Sequence, residues 1–234
     1  MAFYFSTGLR NALLGEQDSI TGTDLKITAG TTVTSTAGAL LTAGYRPGDV
    51  IVLSGWPTAG NNTGIYTLGT VTAGSMTVSG TALNVEDGDA DSKILVVSRG
   101  AFKQIFANNI IRVYSGAAPA NADAVETGVL LLKLTKSSGA VVPGVITNGN
   151  NFDVITTGVL AKDANVWSGV GLADGTAGYW RLYDNGEITG ASTTSKRCQG
   201  TCGTSGTDFV MSSSTIVTGA TVTLDSFNIT QPAS

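Results

Sequence analysis

Short apolar runs separated by glycine-, asparagine- and proline-marked turns recur along most of this chain, the spacing of strands rather than of helices. Asp49-Val-Ile-Val-Leu-Ser54 is the strongest run; the turn Arg46-Pro-Gly-Asp49 introduces it and Gly55-Trp-Pro ends it. Ile65–Val71, Ser75–Val78 and Ile94–Val97 repeat the pattern, so residues 19–98 carry five or six predicted strands, enough for a small barrel or sandwich. Beyond them, Ile110–Tyr114, Val129–Leu134, Phe152–Ile155 and Tyr179–Tyr183 read as strands. In the last of these, Trp180 and Leu182 fall on one face and Tyr179, Arg181 and Tyr183 on the other. The final run, Thr221–Ile229, changes parity: Val222 and Leu224 share one face, Phe227 and Ile229 the opposite one. Side chains of period two cannot switch faces without an extra residue, so a bulge or a change of sheet is expected at Asp225-Ser226.

The first residues break this texture. Ser6 or Thr7 can cap a helical turn bearing Leu9, Ala12 and Leu13, with Gly15 as its stop. An extended arm is the other reading, in which the alternating Phe3 and Phe5 pair with a neighbouring subunit. Residues 101–115 begin helically, become a strand, and read as the continuation of Phe5-Ser-Thr-Gly-Leu-Arg-Asn-Ala-Leu-Leu14. The expected division is therefore an arm or short helix over 1–18 that belongs to the core, an inserted β-module over 19–98, and the core itself over 99–234. The expected fold is all-β, a β-sandwich or jelly-roll-like core with an inserted small β-barrel or β-sandwich module.

Composition narrows the function. Charged residues are 13% of the 234, against about 25% in an average soluble protein. That suits either an all-β protein with a polar, uncharged surface or one whose surface is largely covered by neighbours. The net charge of −4 and the scattered Lys and Arg give no footprint for a phosphate backbone or an anionic membrane, so neither nucleic acid nor membrane is an expected partner. No apolar stretch approaches the length of a membrane span, about 18 residues. Met-Ala-Phe-Tyr-Phe-Ser lacks the form of a signal peptide, so assembly in a cytoplasm is expected.

The chain has no histidine, which removes the usual general base, the common zinc ligand and the serine-triad partner together. No catalytic residue, cofactor or metal is expected. Asp87, Asp89 and Asp91 alternate like the opening of a calcium loop, but Ser92 and Ser98 stand where that loop needs Gly and Glu. A solvated acidic turn is the better reading. Gly169-Val-Gly-Leu-Ala-Asp-Gly175 lacks the spacing of a nucleotide loop. Cys198 and Cys202 lie four apart in what reads as a turn; they either close a local disulfide or stay as two thiols. Trp180 is expected in the core, whereas Trp56, followed by Pro57, is a candidate exposed contact.

Several motifs, taken in order, resemble tailed-bacteriophage virion structural proteins. They are Ser6–Leu14, Phe106-Ala-Asn-Asn-Ile-Ile-Arg-Val-Tyr-Ser-Gly116, Pro119-Ala-Asn-Ala-Asp123, Thr127-Gly-Val-Leu-Leu131, Gly175-Thr-Ala-Gly-Tyr-Trp-Arg-Leu-Tyr183, Gly203–Asp208 and Ile216-Val-Thr-Gly219. Tyr45–Gly55 and Asn61-Asn-Thr-Gly-Ile-Tyr66 are similar to small β-modules that recur in phage head and tail proteins. The resemblance implies a virion component rather than an enzyme. The leading expectation is a capsid decoration (cement) protein, a homo-oligomer bound to the major capsid protein or other virion proteins. A neck, collar or tail protein, or a receptor- or glycan-binding tip, is the alternative. Phe3, Phe5, Leu9 and Trp56 are the expected inter-subunit contacts, and loss of residues 1–8 is expected to weaken assembly while leaving the fold intact.

Overall fold

Alternating apolar positions bounded by turn residues form strands wherever one face can be buried, and that pattern accounts for most of the chain. The computed structural model describes residues 4–13, 18–80, 82–98, 102–153, 159–205, 207, 209–211 and 213–230. The fold is all-β, with two large, predominantly antiparallel sheets, consistent with the sandwich class. Phe3, Gly15 and the second half of the predicted strand Phe152–Ile155 lie outside the described residues.

The chain divides into two compact units. One comprises Met1–Asn11, Ile105–Val141 and Thr147–Ser234; the other comprises Ala12–Gln104 and Val142–Ile146. The short segment 142–146, which the sequence reading assigns to 99–234, groups with the second unit, where the Val71 amide donates to Gly144 O at 2.9 Å.

In the second unit, eight strands run in the order Ser19–Thr21, Lys93–Ser98, Val50–Ser54, Ile65–Val71, Ser75–Ser79, Thr32–Ser35, Leu25–Ala29 and Glu86–Asp87. Alternate residues of six of them (Leu25, Val33, Ile51, Leu68, Met76 and Ile94 among these) meet in one buried cluster. Trp56 belongs to that cluster and is 3% exposed. It is therefore a core residue, not the surface contact expected from the loop around it. Asn62 fixes the loop by accepting from the Trp56 amide and donating to Trp56 O, both at 2.8 Å.

In the first unit the sheet runs Tyr4–Phe5, Arg197–Gly203, Gly175–Tyr183, Ile110–Ser115, Leu130–Lys136, Trp167–Val170 and Thr221–Leu224. Phe209–Val210 pairs in parallel with Arg197–Gly203, and Thr215–Ile216 pairs with the start of Gly175–Tyr183. Ile111, Val113, Leu132, Leu134, Trp180, Leu182 and Cys198 share one face through the cross-strand register, and all are buried. The parity change resolves as a change of sheet. The chain leaves the nine-stranded sheet at Leu224 and enters a two-stranded one, Asn228–Thr230 with Val159–Ala161. Phe227, at the junction, closes the apolar face: its ring lies 5.3 Å from Trp180, 5.9 Å from Phe209 and 6.0 Å from Phe152. Aromatic contacts of this kind each contribute about 0.5–1.5 kcal/mol beyond the area they bury.

The first residues are stitched into this same unit. Tyr4–Phe5 pairs with Gln199 and Cys198, so the arm completes its own chain's sheet. Ser6 caps the helix Thr7–Leu13: its Oγ accepts from the Leu9 amide at 3.1 Å and donates to Ser195 O at 2.7 Å. It also accepts from the Arg197 amide at 3.1 Å. Thr7 donates from its amide and hydroxyl to the Asp123 carboxylate at 2.8 and 2.6 Å. Gly8 is required by close approach, since a Cβ there would lie 2.2 Å from Thr194 O. Leu9 is fully buried, which removes it as an inter-subunit contact; Phe5 is half-buried and Tyr4 is 48% exposed.

These contacts reverse the expectation for a truncated chain. Deletion of residues 1–8 removes the cap and the Asp123 bonds and should lower the melting temperature sharply. Ser6→Ala alone should cost about 2 kcal/mol, a lost cap plus orphaned backbone groups. Thermal and urea unfolding measure both, and an unchanged midpoint for Ser6→Ala would refute the stitching role.

Candidate functional site

The opposite face of the nine-stranded sheet is also covered, but by polar groups. Register sets Lys133 opposite Arg112, Arg112 opposite Arg181, and Arg181 opposite Gln199. Three cations thus stand in a row across three neighbouring strands. Like charges directly opposite one another are destabilising, so the row needs counter-charge from elsewhere. Glu187 supplies it at one end, with Oε1 2.7 Å from Arg112 and Oε2 2.7 Å from Lys133. Glu126 supplies it at the other, with Oε1 3.0 Å from Arg181 and 3.5 Å from Arg197.

Both glutamates come from loops that lie over this face, and the arginines tie those loops down. Arg181 is fully buried; it donates to Ala124 O at 3.0 Å and, at 3.1 and 2.5 Å, to Gln199 Oε1, whose own amide donates to Pro119 O. Arg197, also fully buried, donates to Gly190 O at 2.7 Å, Asp123 O at 2.9 Å and Ser192 O at 3.2 Å. Tyr179 Oη donates to Thr127 O and Tyr183 Oη to Glu126, at 2.8 and 2.5 Å. Tyr114 and Tyr179 stack beside them, ring centroids 5.0 Å apart.

The electrostatics follow from this closure. Burial pushes the Glu126 carboxyl up, but hydrogen bonds from Tyr183 and the Gly190 amide, with the Arg181 charge, outweigh it and hold Glu126 below the usual carboxylate range. Burial pushes the Tyr183 and Tyr179 hydroxyls up. Burial, reinforced by neighbouring Arg181, lowers Arg197 from the ordinary arginine value. Every oxygen that could accept a proton here is already engaged by a donor of the same chain. The row therefore works as a clamp that fixes two loops; it presents no free acid or base to a ligand.

The other candidates separate. Cys198 and Cys202 are both free and buried. They sit on the strand Arg197–Gly203, not in a turn, and four strand residues span about 13 Å where a disulfide tolerates 4.4–6.8 Å between Cα atoms. The disulfide reading is thereby corrected. Sequence alone missed this because the Gly-rich surroundings mimic a turn. Burial pushes both thiols up, Cys202 to about 12, so both stay protonated and unreactive at neutral pH. The acidic turn is held by Asp89, whose Oδ1 accepts from the Asp91 and Ser92 amides at 2.9 and 3.0 Å. Among the described residues no group of three or more Cys, Asp or Glu could hold a metal ion. An open cleft of about 380 Å³ lies between Tyr4, Phe5, Arg10, Asn121 and Asp123, where the Asp123 carboxylate is occupied by Thr7. Trp56 and Leu9 are each buried. No helix among the described residues is long and apolar enough to cross a membrane.

No protein-family model, curated protein or solved structure matches the chain.

Two outcomes follow. Glu126→Gln should destabilise the protein by about 3–5 kcal/mol, because Arg181 and Arg197 would remain buried without their counter-charge. Since the folded-state pKa of Glu126 is depressed, its contribution is fully present above about pH 4.3, the ordinary Glu value, and is lost as pH falls through the folded value. Urea unfolding as a function of pH should accordingly show a shallower acid loss in Glu126→Gln than in the wild type; equal slopes would exclude Glu126 as the clamp. For the cysteines, alkylation without reductant should label neither thiol in the folded protein and both after unfolding, as read by mass spectrometry.

Proposed function

We propose that this protein is a structural component of a tailed-bacteriophage particle, a decoration protein that binds the outside of the head lattice and acts through surface contact. The observation that carries this reading is where the chain keeps its charge. Seven of the described charged residues, Arg46, Asp49, Arg181, Asp184, Glu187, Lys196 and Arg197, are buried in a chain that has few to begin with. Such side chains are almost never fully buried unless paired. Large aliphatic side chains stay outside instead: Ile65, Val85, Val170, Leu172 and Val217 are each more than 40% exposed. A low-charge, aliphatic exterior over a rigid β frame suits broad docking onto protein neighbours. The ordered motifs resembling virion proteins point the same way.

A cement protein stabilises a shell by binding only its expanded form, so its binding free energy adds to the stability of that form by linkage. The glycan-binding alternative loses its chief support, because Trp56 is buried. Quantitative mass spectrometry of purified particles tests the proposal. The expected copy number matches the repeating sites of the head lattice, whereas the copy number of a single ring would place the protein at the neck or tail. Absence from particles would overturn the virion reading altogether.

A further inference from the structure

The nine-stranded sheet ends on Thr221–Leu224, and no strand among the described residues pairs with the outer edge of that segment. Its inner edge is fixed by the register Val170 to Thr221, Gly169 to Val222, Ser168 to Thr223 and Trp167 to Leu224. One residue earlier, the Ala220 carbonyl accepts from the Gly171 amide at 2.8 Å and so turns towards the neighbouring strand, while the Ala220 amide closes a turn onto Val217 O at 3.0 Å. The N–H and C=O of one antiparallel strand residue point the same way, and successive residues alternate. Val222 and Leu224 therefore bond inward, while Thr221 and Thr223 hold their N–H and C=O outward.

Proteins normally guard such edges with short strands, charge, proline or a covering segment. The other described sheet edges follow that rule. Tyr4–Phe5, Ser19–Thr21 and Glu86–Asp87 are two or three residues long, and the last carries two acids and the Lys26–Asp87 ion pair at 3.0 Å. Thr221–Leu224 has neither charge nor proline; from Phe209 to Leu224 no residue is charged. Val170, Leu172 and Val217 stand 43%, 53% and 54% exposed, and Gly171 packs so closely on Val217 that a Cβ would lie 2.1 Å from its carbonyl oxygen. Aliphatic side chains thus border the open edge.

We infer that this edge pairs with the same edge of a second copy, antiparallel, about a twofold axis at Val222. This rests on the assembly reading above and names the surface. The register follows from the face parity. Two sheets joined with the same side up must place outward-bonding residues opposite one another, so Thr221 meets the second copy's Thr223 and Val222 meets Val222. Both threonine pairs then exchange N–H···O bonds, four in all, and the valines form the close, non-hydrogen-bonded pair between them. Centring the axis on Thr223 would instead need Asp225, where the chain has left the sheet. Because the segment is uncharged, it is self-complementary even though the whole chain carries −4. An edge of this length holds a dimer at high protein concentration, and the many simultaneous contacts of a lattice reinforce it.

Val222→Cys in the full chain, oxidised mildly, tests the register. Cβ atoms of a close cross-strand pair lie about 4.5–5.5 Å apart, within reach of a disulfide after small adjustment. The buried Cys198 and Cys202 do not compete. A covalent dimer should form, and an exposed control, Thr218→Cys, should give none. Thr223→Pro removes an outward amide only, so it should keep the wild-type melting temperature and shift the sedimenting mass towards monomer. If Val222→Cys cross-links no better than Thr218→Cys, or the assembly mass is unchanged by Thr223→Pro, the edge pairing is wrong. The two readings fail separately: particles that carry the protein without the cross-link overturn the edge alone, and a cross-link without particle binding overturns the virion role alone.

Discussion

A row of like charges across a sheet cannot persist without counter-ions, and in the first unit that requirement organises the covering structure. Lys133, Arg112 and Arg181 face one another across adjacent strands, and Glu187 and Glu126 arrive from two overlying loops to neutralise them. Once Glu126 is placed, its other contacts specify the loop path: Gly190 donates to it at 2.9 Å and Tyr183 at 2.5 Å. Arg197 then joins residues 123, 190 and 192 through their carbonyl oxygens. The helix at the start of the chain docks on the outside of this clamp, because Asp123 also receives Thr7 and because Ser6 bonds residues 195 and 197. Removing one carboxylate would leave buried guanidinium groups unpaired, a larger penalty than the modest net gain of an intact pair.

The same sheet keeps its two faces chemically apart. One face packs Trp180, Trp167, Phe209 and Phe227 ring against ring. The other is a hydrogen-bonded polar layer. Strand alternation alone makes this possible, since Tyr179, Arg181 and Tyr183 alternate with Trp180 and Leu182 along one nine-residue strand. All five are buried, which is why the strand carries aromatic or long side chains on both parities.

Strand periodicity was legible in the sequence, and so was its most specific consequence. The parity change after Leu224 called for a bulge or a change of sheet, and the chain changes sheet. Ser6 as a cap was also legible, because capping chemistry is local. What was not legible depends on distant partners. Trp56 beside Pro57 looks like a loop aromatic, and only its packing into a cluster drawn from six strands decides that it turns inward. Leu9 is buried on a helix whose capping residue bonds a partner 189 positions away, Ser6 to Ser195. Arg181 and Arg197 gave no sign of being interior, since the glutamate that matches both stands at position 126. The cysteines misled for a related reason: Gly200 and Gly203 suggest a turn, yet pairing with Gly175–Tyr183 on one side and Tyr4–Phe5 on the other holds the segment extended.

Interior closure and exterior openness are connected. Each buried ion pair consumes charge that an isolated protein would otherwise display to water, and this chain begins with little. The result is a frame whose polar groups are largely satisfied within the first unit and whose surface, among the described residues, offers aliphatic side chains and the unguarded edge of Thr221–Leu224. A free monomer of that kind is exposed to indiscriminate association. A subunit that spends its working life among copies and lattice neighbours is not, because those neighbours occupy the same surfaces. Low surface charge then ceases to be a liability: with no strong field to overcome, neighbouring β surfaces can approach closely, and shape and hydrogen-bond register decide which contacts form.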